Sequence, residues 1–298
     1  MFAKIFRPSK KVAYQRERIS INEGDFVDID WSTIKPSSKS LAIVCPGFES
    51  DSRRPYVLAS VNILNDNDMD VVVVNHRGSS GAPSKHYIFA VGDEDDLSQV
   101  VDKILEKYDY SEVFLVGYST GGNLVIKYLA DKSESVDPRI KKAFTTSPTL
   151  HLVSTMEQFN KPSNKLYLKG FLAVMCKGLW WSRKYFPQPI HIIDFFSISN
   201  PGEFYDKYCY PYTKISFLDY LTQHSACGHL SKVKVSTMMI NSMDDPFLDA
   251  RFYPYIQAMN NPYLTLKVTK DGGHVGFVDF KGRYYWSERK MIEFLTAK

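Results

Sequence analysis

The sequence predicts an α/β fold, a mostly parallel, doubly wound sheet with a helical cap insertion. Three observations carry this expectation. Short apolar runs rich in β-branched residues recur at Leu41–Cys45, Val71–Val74 and Val113–Val116. An apolar run without alternation marks a strand buried on both faces, as in a parallel sheet covered by helices. Helical segments separate these runs, and strand–helix alternation at this spacing implies right-handed crossovers. Finally, the rhythm breaks between about residues 150 and 230 and then resumes.

Taken in order, the first 35 residues hold short alternating runs such as Val27-Asp28-Ile29-Asp30-Trp31, which predict half-exposed antiparallel strands. The strand at Leu41–Cys45 is followed by a helix over Tyr56–Leu64, the strand at Val71–Val74, and a helix over Asp95–Tyr108. That helix sets Leu97, Val100, Val101, Ile104 and Leu105 on one face. Its acidic start, Asp93 to Asp96, suits a helix N-terminus. Next come the strand at Val113–Val116 and a helix over Asn123–Ala130. Ala143-Phe144 belongs to a fourth strand, Val235–Asn241 reads as a fifth, Tyr263–Val268 as a sixth, and Met291–Leu295 sits in a closing helix. No internal repeat or low-complexity tract interrupts them. The expected organisation is a single domain over residues 1–298. Its cap insertion, about 150–230, would sit above the carboxyl edge of the sheet, where open α/β folds bind ligands.

At 298 residues the chain can bury one large core. Aromatic residues make up 14%, which suits large apolar pockets. Lys and Arg exceed Asp and Glu by only 37 − 33 = 4, and a nucleic-acid partner would call for a dense basic stripe. The four cysteines form no C-x-x-C pair and read as reduced thiols, hence a cytoplasmic protein. His224, Cys227 and His229 match no standard zinc spacing, so no metal is expected. The N-terminus lacks the apolar run of a secretory signal. The longest apolar stretch, Leu166 to Trp181, is interrupted by Lys169 and Lys177, so no transmembrane segment is expected. A monomer or a small homo-oligomer fits equally.

The strongest chemical signal is Val116-Gly117-Tyr118-Ser119-Thr120-Gly121-Gly122-Asn123, a G-x-S-x-G placed between a buried strand and a helix. A nucleophile elbow needs that context, because the strained turn lifts the serine oxygen above the sheet edge. Gly117 and Gly121 leave room for close backbone approach, and the positive end of the following helix favours a developing oxyanion. A serine hydroxyl needs a base. His274, in the glycine-rich loop Asp271-Gly272-Gly273-His274-Val275-Gly276 after the last strand, is the predicted one. The acid should follow the preceding strand, where Asp245 before Pro246, Phe247 and Leu248 is favoured and Asp244 is the alternative. The backbone N–H groups of Phe48, in Cys45-Pro46-Gly47-Phe48, and of Thr120 are the expected oxyanion hole. His76 and Arg77 follow a buried strand but precede the serine, and are expected to brace loops near the site. Leu166 to Trp181 reads as a cap helix, or more sharply as an acyl-chain pocket or an interfacial surface flanked by Lys169, Lys177, Arg183 and Lys184.

Pro-Gly-Phe after a strand, Asn75-His76-Arg77-Gly78-Ser79-Ser80-Gly81, Gly117-Tyr118-Ser119-Thr120-Gly121-Gly122-Asn123, Asp244-Asp245-Pro246-Phe247 and Gly272-Gly273-His274-Val275-Gly276-Phe277 follow one another in this order. In this the chain resembles the YheT-like branch of the α/β hydrolases, from about residue 40 to the end and most weakly in the insertion. The resemblance implies an α/β-hydrolase fold, the triad Ser119, Asp245 and His274, and an esterase or a lipid-handling hydrolase. Two positions depart from the branch. Pro46 stands where His is usual, which alters the oxyanion loop. Thr120 stands where Leu is usual, which sets a hydroxyl beside the nucleophile. The expected function is a serine hydrolase cleaving carboxylic esters, with a small-molecule ester or a lipid as partner, peripheral membrane contact allowed, and no cofactor. The alternatives are an acyltransferase using the same triad and a non-catalytic scaffold acting as a binding module.

Overall fold

A computed structural model describes residues 10–34, 38–82, 94–186 and 190–297. The expected acidic residue Asp93 lies outside them. The described strands are β1 (Gln15–Ile21), β2 (Asp25–Ser32), β3 (Ser40–Cys45), β4 (Asp70–Val74), β5 (Glu112–Tyr118), β6 (Ile140–Thr146), β7 (Ser236–Ser242) and β8 (Leu264–Thr269). They form one sheet in the order β1-β2-β4-β3-β5-β6-β7-β8. β1 pairs antiparallel with β2 and β2 antiparallel with β4, while every pairing from β4 to β8 is parallel. This is the α/β-hydrolase fold, and the six strands the sequence predicts from residue 41 onward are present as β3 to β8, with β8 only partly buried.

The central strands β3, β4 and β5 are apolar nearly throughout because both faces are covered, whereas β8, at the edge, leaves Thr265 and Lys267 exposed. Along β3, Leu41, Ile43 and Cys45 join one core cluster while Ala42 and Val44 join the other. The first cluster packs under α2 (Glu94–Lys107) and α3 (Thr120–Lys132), the second under α1 (Pro55–Asn65) and α10 (Trp286–Thr296). Topology dictates this division. The chain leaves β3 through α1 to reach β4, then returns past β3 through α2 to reach β5. Right-handed crossovers in opposite directions put α1 and α2 on opposite faces. The reversal leaves the ends of β3 and β5 side by side, with Cys45 registered against Gly117. Ligands bind at such a switch point.

The N-terminal strands pair antiparallel as expected and β1 is half-exposed, but β2 departs from its expectation. β2 is not half-exposed but buried along nearly its whole length, its aspartates included. Arg16 and Arg18 stand opposite Asp30 and Asp28 on β1 and clamp them with paired bonds of 2.7 and 2.8 Å and of 2.7 and 3.0 Å. Alternation separates two faces, but a polar face can also be covered when every carboxylate finds donors.

Between β6 and β7 the chain is helical: α4 (Leu152–Phe159), α5 (Lys165–Ser182), α6 (Pro201–Tyr208), α7 (Tyr210–Thr213) and α8 (Phe217–Gln223). α4, α5, α6 and α8 share a third apolar cluster, which includes Leu152, Met175, Leu179, Phe204, Tyr205 and Leu221. A short 3-10 turn (Ala250–Phe252) and α9 (Tyr255–Asn260) lie on the path from β7 to β8. All four cysteines are free thiols.

Candidate active site

Ser119 sits between β5 and α3 with φ +54° and ψ −120°. A non-glycine residue there is strained, and such strain persists only where the surroundings fix it. Close packing does so here. A Cβ on Gly117 would lie 2.6 Å from the Gly121 carbonyl oxygen, and one on Gly121 would lie 2.2 Å from the carbonyl oxygens of Cys45 and Pro46. The Ser119 amide donates to the Thr146 carbonyl at 2.9 Å, tying the turn to β6.

His274 Nε2 lies 2.8 Å from Ser119 Oγ, and His274 Nδ1 lies 2.8 Å from Asp245 Oδ2. Asp245 is buried, and its other oxygen accepts the Phe247 amide at 2.9 Å. An ionised carboxylate only accepts, so Nδ1 carries the proton and the Nε2 lone pair faces the serine hydroxyl. Asp244 does a different job, accepting the Gly273 amide at 2.8 Å and so holding the histidine loop. Ser242 Oγ donates to the Gly273 carbonyl, and Val275, at φ +52°, donates its amide to Ser147 Oγ at 3.3 Å. The ring of Phe247 meets the His274 ring edge-on at 4.8 Å between centroids.

The loop after β3 brings Pro46, Gly47 and Phe48 against the elbow, and a Cβ on Gly47 would lie 3.3 Å from Ser119 Cβ. Two groups fix this loop. His76 Nε2 donates to the Pro46 carbonyl at 2.8 Å, the bracing role the sequence suggests, and Tyr56 Oη accepts the Gly47 amide at 2.9 Å. Burial holds His76 below its ordinary pKa and raises that of Tyr56, so both are neutral at pH 7. Arg77 is held by Asp96 at 2.5 Å. On the other side, Thr120 opens α3, where the first amides of a helix lack an internal acceptor.

A cavity of about 390 Å3 opens over Ser119 and His274. Its floor is Gly47, Phe48 and Thr120, and its walls come largely from Phe159, Leu166, Phe171 and Val174 of α4 and α5, with Phe247. Phe159 stacks on Phe171 at 4.7 Å and on Phe247 at 4.6 Å. Sequence reasoning missed Tyr56, Phe159 and Phe247 as site residues. Only Phe247 had a signal, its place two residues after the acid. His224 and His229 stay apart from the site: His224 packs on Tyr220, and His229 lies 3.9 Å from Asp131.

Comparison with known proteins agrees with this architecture. The family model of the alpha/beta hydrolase fold matches residues 43–175. YheT of Escherichia coli (strain K12), named as a candidate esterase, is 27% identical over 305 residues, covering 100% of this chain and 89% of its own. Phospholipase ABHD3 of Homo sapiens is 26% identical over 280 residues, covering 90% of this chain and 68% of its own. Among solved structures, the esterase Pf2001 of Pyrococcus furiosus superposes with a TM-score of 0.64 at 16% identity, over 97% of this chain and 98% of that one. The chain therefore has the α/β-hydrolase fold and is similar over its full length to YheT.

Proposed function

We propose that the protein hydrolyses carboxylic esters through an acyl-enzyme, with Ser119 as nucleophile, His274 as general base and acid, and Asp245 as the group that orients the imidazole. The observation that carries this is the Ser119–His274–Asp245 chain of two 2.8 Å contacts at the floor of an apolar cavity. His274 takes the hydroxyl proton as Ser119 Oγ attacks the acyl carbonyl. Asp245 holds the tautomer and stabilises the imidazolium. The amides of Phe48 and Thr120 bind the oxyanion. His274 then protonates the departing alkoxide, and a water activated by the same nitrogen releases the acid. The helical segment of about 150–230 acts as the cap of one hydrolase domain, and its aromatic wall receives the apolar part of the ester.

A fluorophosphonate probe tests this directly. Folded wild type should take one adduct, mapped by mass spectrometry to Ser119, and Ser119→Ala should take none. Labelling of folded wild type at some other residue, or equal labelling of both proteins, overturns the assignment.

A further inference from the structure

Among the described residues, α5 buries one face and leaves the other without a covering element. Leu172, Met175, Cys176, Leu179 and Ser182 point into the cap cluster. At ~3.6 residues per turn, Leu166, Gly170, Ala173, Lys177 and Trp181 form the opposite stripe. All five are exposed, Leu166 at 68% and Trp181 at 45%. A large apolar residue exposed alone needs no explanation, but Leu166, Tyr167 and Trp181 are all exposed on one helix among lysines.

The charge on this segment is one-sided. From residue 158 to residue 193 the chain carries Lys161, Lys165, Lys169, Lys177, Arg183 and Lys184 and no acidic residue. Those six cations exceed the net charge of the whole chain, +4. The cations also pair with rings at the end of α5. Lys177 Nζ lies 5.3 Å from the Trp181 ring centroid, the Arg183 guanidinium 4.1 Å from that of Trp180, and Lys184 Nζ 4.8 Å from that of Tyr185. Trp and Tyr with Lys and Arg is the composition that settles at a membrane interface, with the rings at headgroup depth and the ammonium groups among lipid phosphates. Among the described residues no helix is long and apolar enough to cross a membrane, so such contact is peripheral. The stripe also borders the cavity, since Leu166 and Gly170 belong to both.

We propose that the outer face of α5 docks the protein on an anionic phospholipid bilayer, with Lys165, Lys169 and Lys177 at the headgroups, Leu166 and Trp181 inserted among them, and the cavity mouth turned toward the lipid. This goes beyond the catalytic assignment and does not depend on it. Docking uses the cap surface, so Ser119→Ala should dock as wild type does.

The test is co-sedimentation of the full chain with phosphatidylcholine vesicles, with and without phosphatidylserine. Wild type should bind the anionic vesicles, bind the zwitterionic ones far less, and be released by salt. Lys165→Gln, Lys169→Gln and Lys177→Gln together should weaken partitioning roughly a hundredfold. A control with Lys141, Lys232 and Lys234 changed to Gln, at the opposite edge of the sheet, should bind within about threefold of wild type. Trp181→Ala should lose part of the binding while leaving hydrolysis of a short water-soluble ester unchanged. Absence of wild-type binding to anionic vesicles overturns the proposal and would leave an acidic protein surface as the occupant. Equal losses from the two lysine triples overturn it too, because charge anywhere on the molecule would then serve.

Discussion

At the scale of single residues, glycines and carboxylates set the tolerances of the site. Gly121→Ala would press a Cβ to 2.2 Å from the carbonyl oxygens of Cys45 and Pro46, both backbone atoms that cannot step aside alone. Overpacking of this kind should cost about 3 kcal/mol, read as a lower urea midpoint at unchanged slope. The displaced loop is the one proposed to hold the oxyanion, so kcat should fall in the protein that remains folded. Gly273→Ala meets no atom within 4 Å, but its φ of +60° is left-handed, so about 1 kcal/mol is expected. The two neighbouring carboxylates separate in the same way. Asp245→Asn offers its amide where His274 needs an acceptor, and kcat should drop about 10⁴-fold with KM little changed. Asp244→Asn keeps an oxygen for the Gly273 amide, so its kcat should stay within about threefold of wild type. Steady-state kinetics on one soluble ester compares both, and a larger loss at Asp244 would reverse their roles.

At the scale of elements, what was legible follows from what each local pattern encodes. β3, β4 and β5 were readable because a strand buried on both faces must be apolar at every position, and that signal needs no partner. β2 was misjudged because Asp28 and Asp30 look like a solvent face, and the arginines that cover them lie ten residues or more away on β1. The motif around Ser119 was readable because strand, glycine turn and helix are contiguous. The cavity was legible only in part: the segment Leu166 to Trp181 reads as a pocket and does line it, but Phe159 and Phe247 come from separate segments, and nothing in their spacing announces that they stack on one another and on Phe171. α5 contributes more of that wall than any other element, so chain-length preference should reside there. Phe171→Ala opens the cavity beside Phe48 and Phe159 and removes two ring contacts, at 4.8 and 4.7 Å. It should shift the ratio of kcat/KM for long over short acyl esters by roughly tenfold toward the longer ones, since a methylene in a fitted apolar pocket is worth about 1–3 kcal/mol. A flat profile in the variant, measured across a p-nitrophenyl ester series, would remove α5 from acyl recognition.

At the scale of the whole molecule, the site is tied to the N-terminal hairpin through polar groups that titrate. Asp30 Oδ2 accepts Ser52 Oγ–H at 2.5 Å and Asn75 Nδ2–H at 3.0 Å, and the Ser52 amide donates to Asn75 Oδ1 at 2.9 Å. One carboxylate on β2 thereby links the loops that leave β3 and β4, and the next residue, His76, holds Pro46. Burial opposes the charge on Asp30, but the bonds from Arg16, Ser52 and Asn75 outweigh it and lower its pKa. Arg251 holds Asp249 at about 2, and Arg289 lowers Asp279 against the smaller effect of burial. Each of these acids is stronger in the folded chain, so the stability it lends is complete above the unfolded value, about 3.9, and is lost as pH falls through the folded one. His76 acts earlier. Loss of hydration lowers its pKa in the folded state, so below about 6.5 the unfolded chain takes up a proton that the folded chain resists, and stability falls as pH falls. Acid unfolding should therefore begin in a window set by His76 and steepen in one set by the aspartates. His76→Gln keeps an N–H for the Pro46 carbonyl but cannot titrate. Its urea midpoint should start below that of wild type at about pH 7.5 and fall less between there and about pH 5. If both proteins lose the same amount over that interval, the early window belongs to another group and His76 is a brace without a proton-linked role.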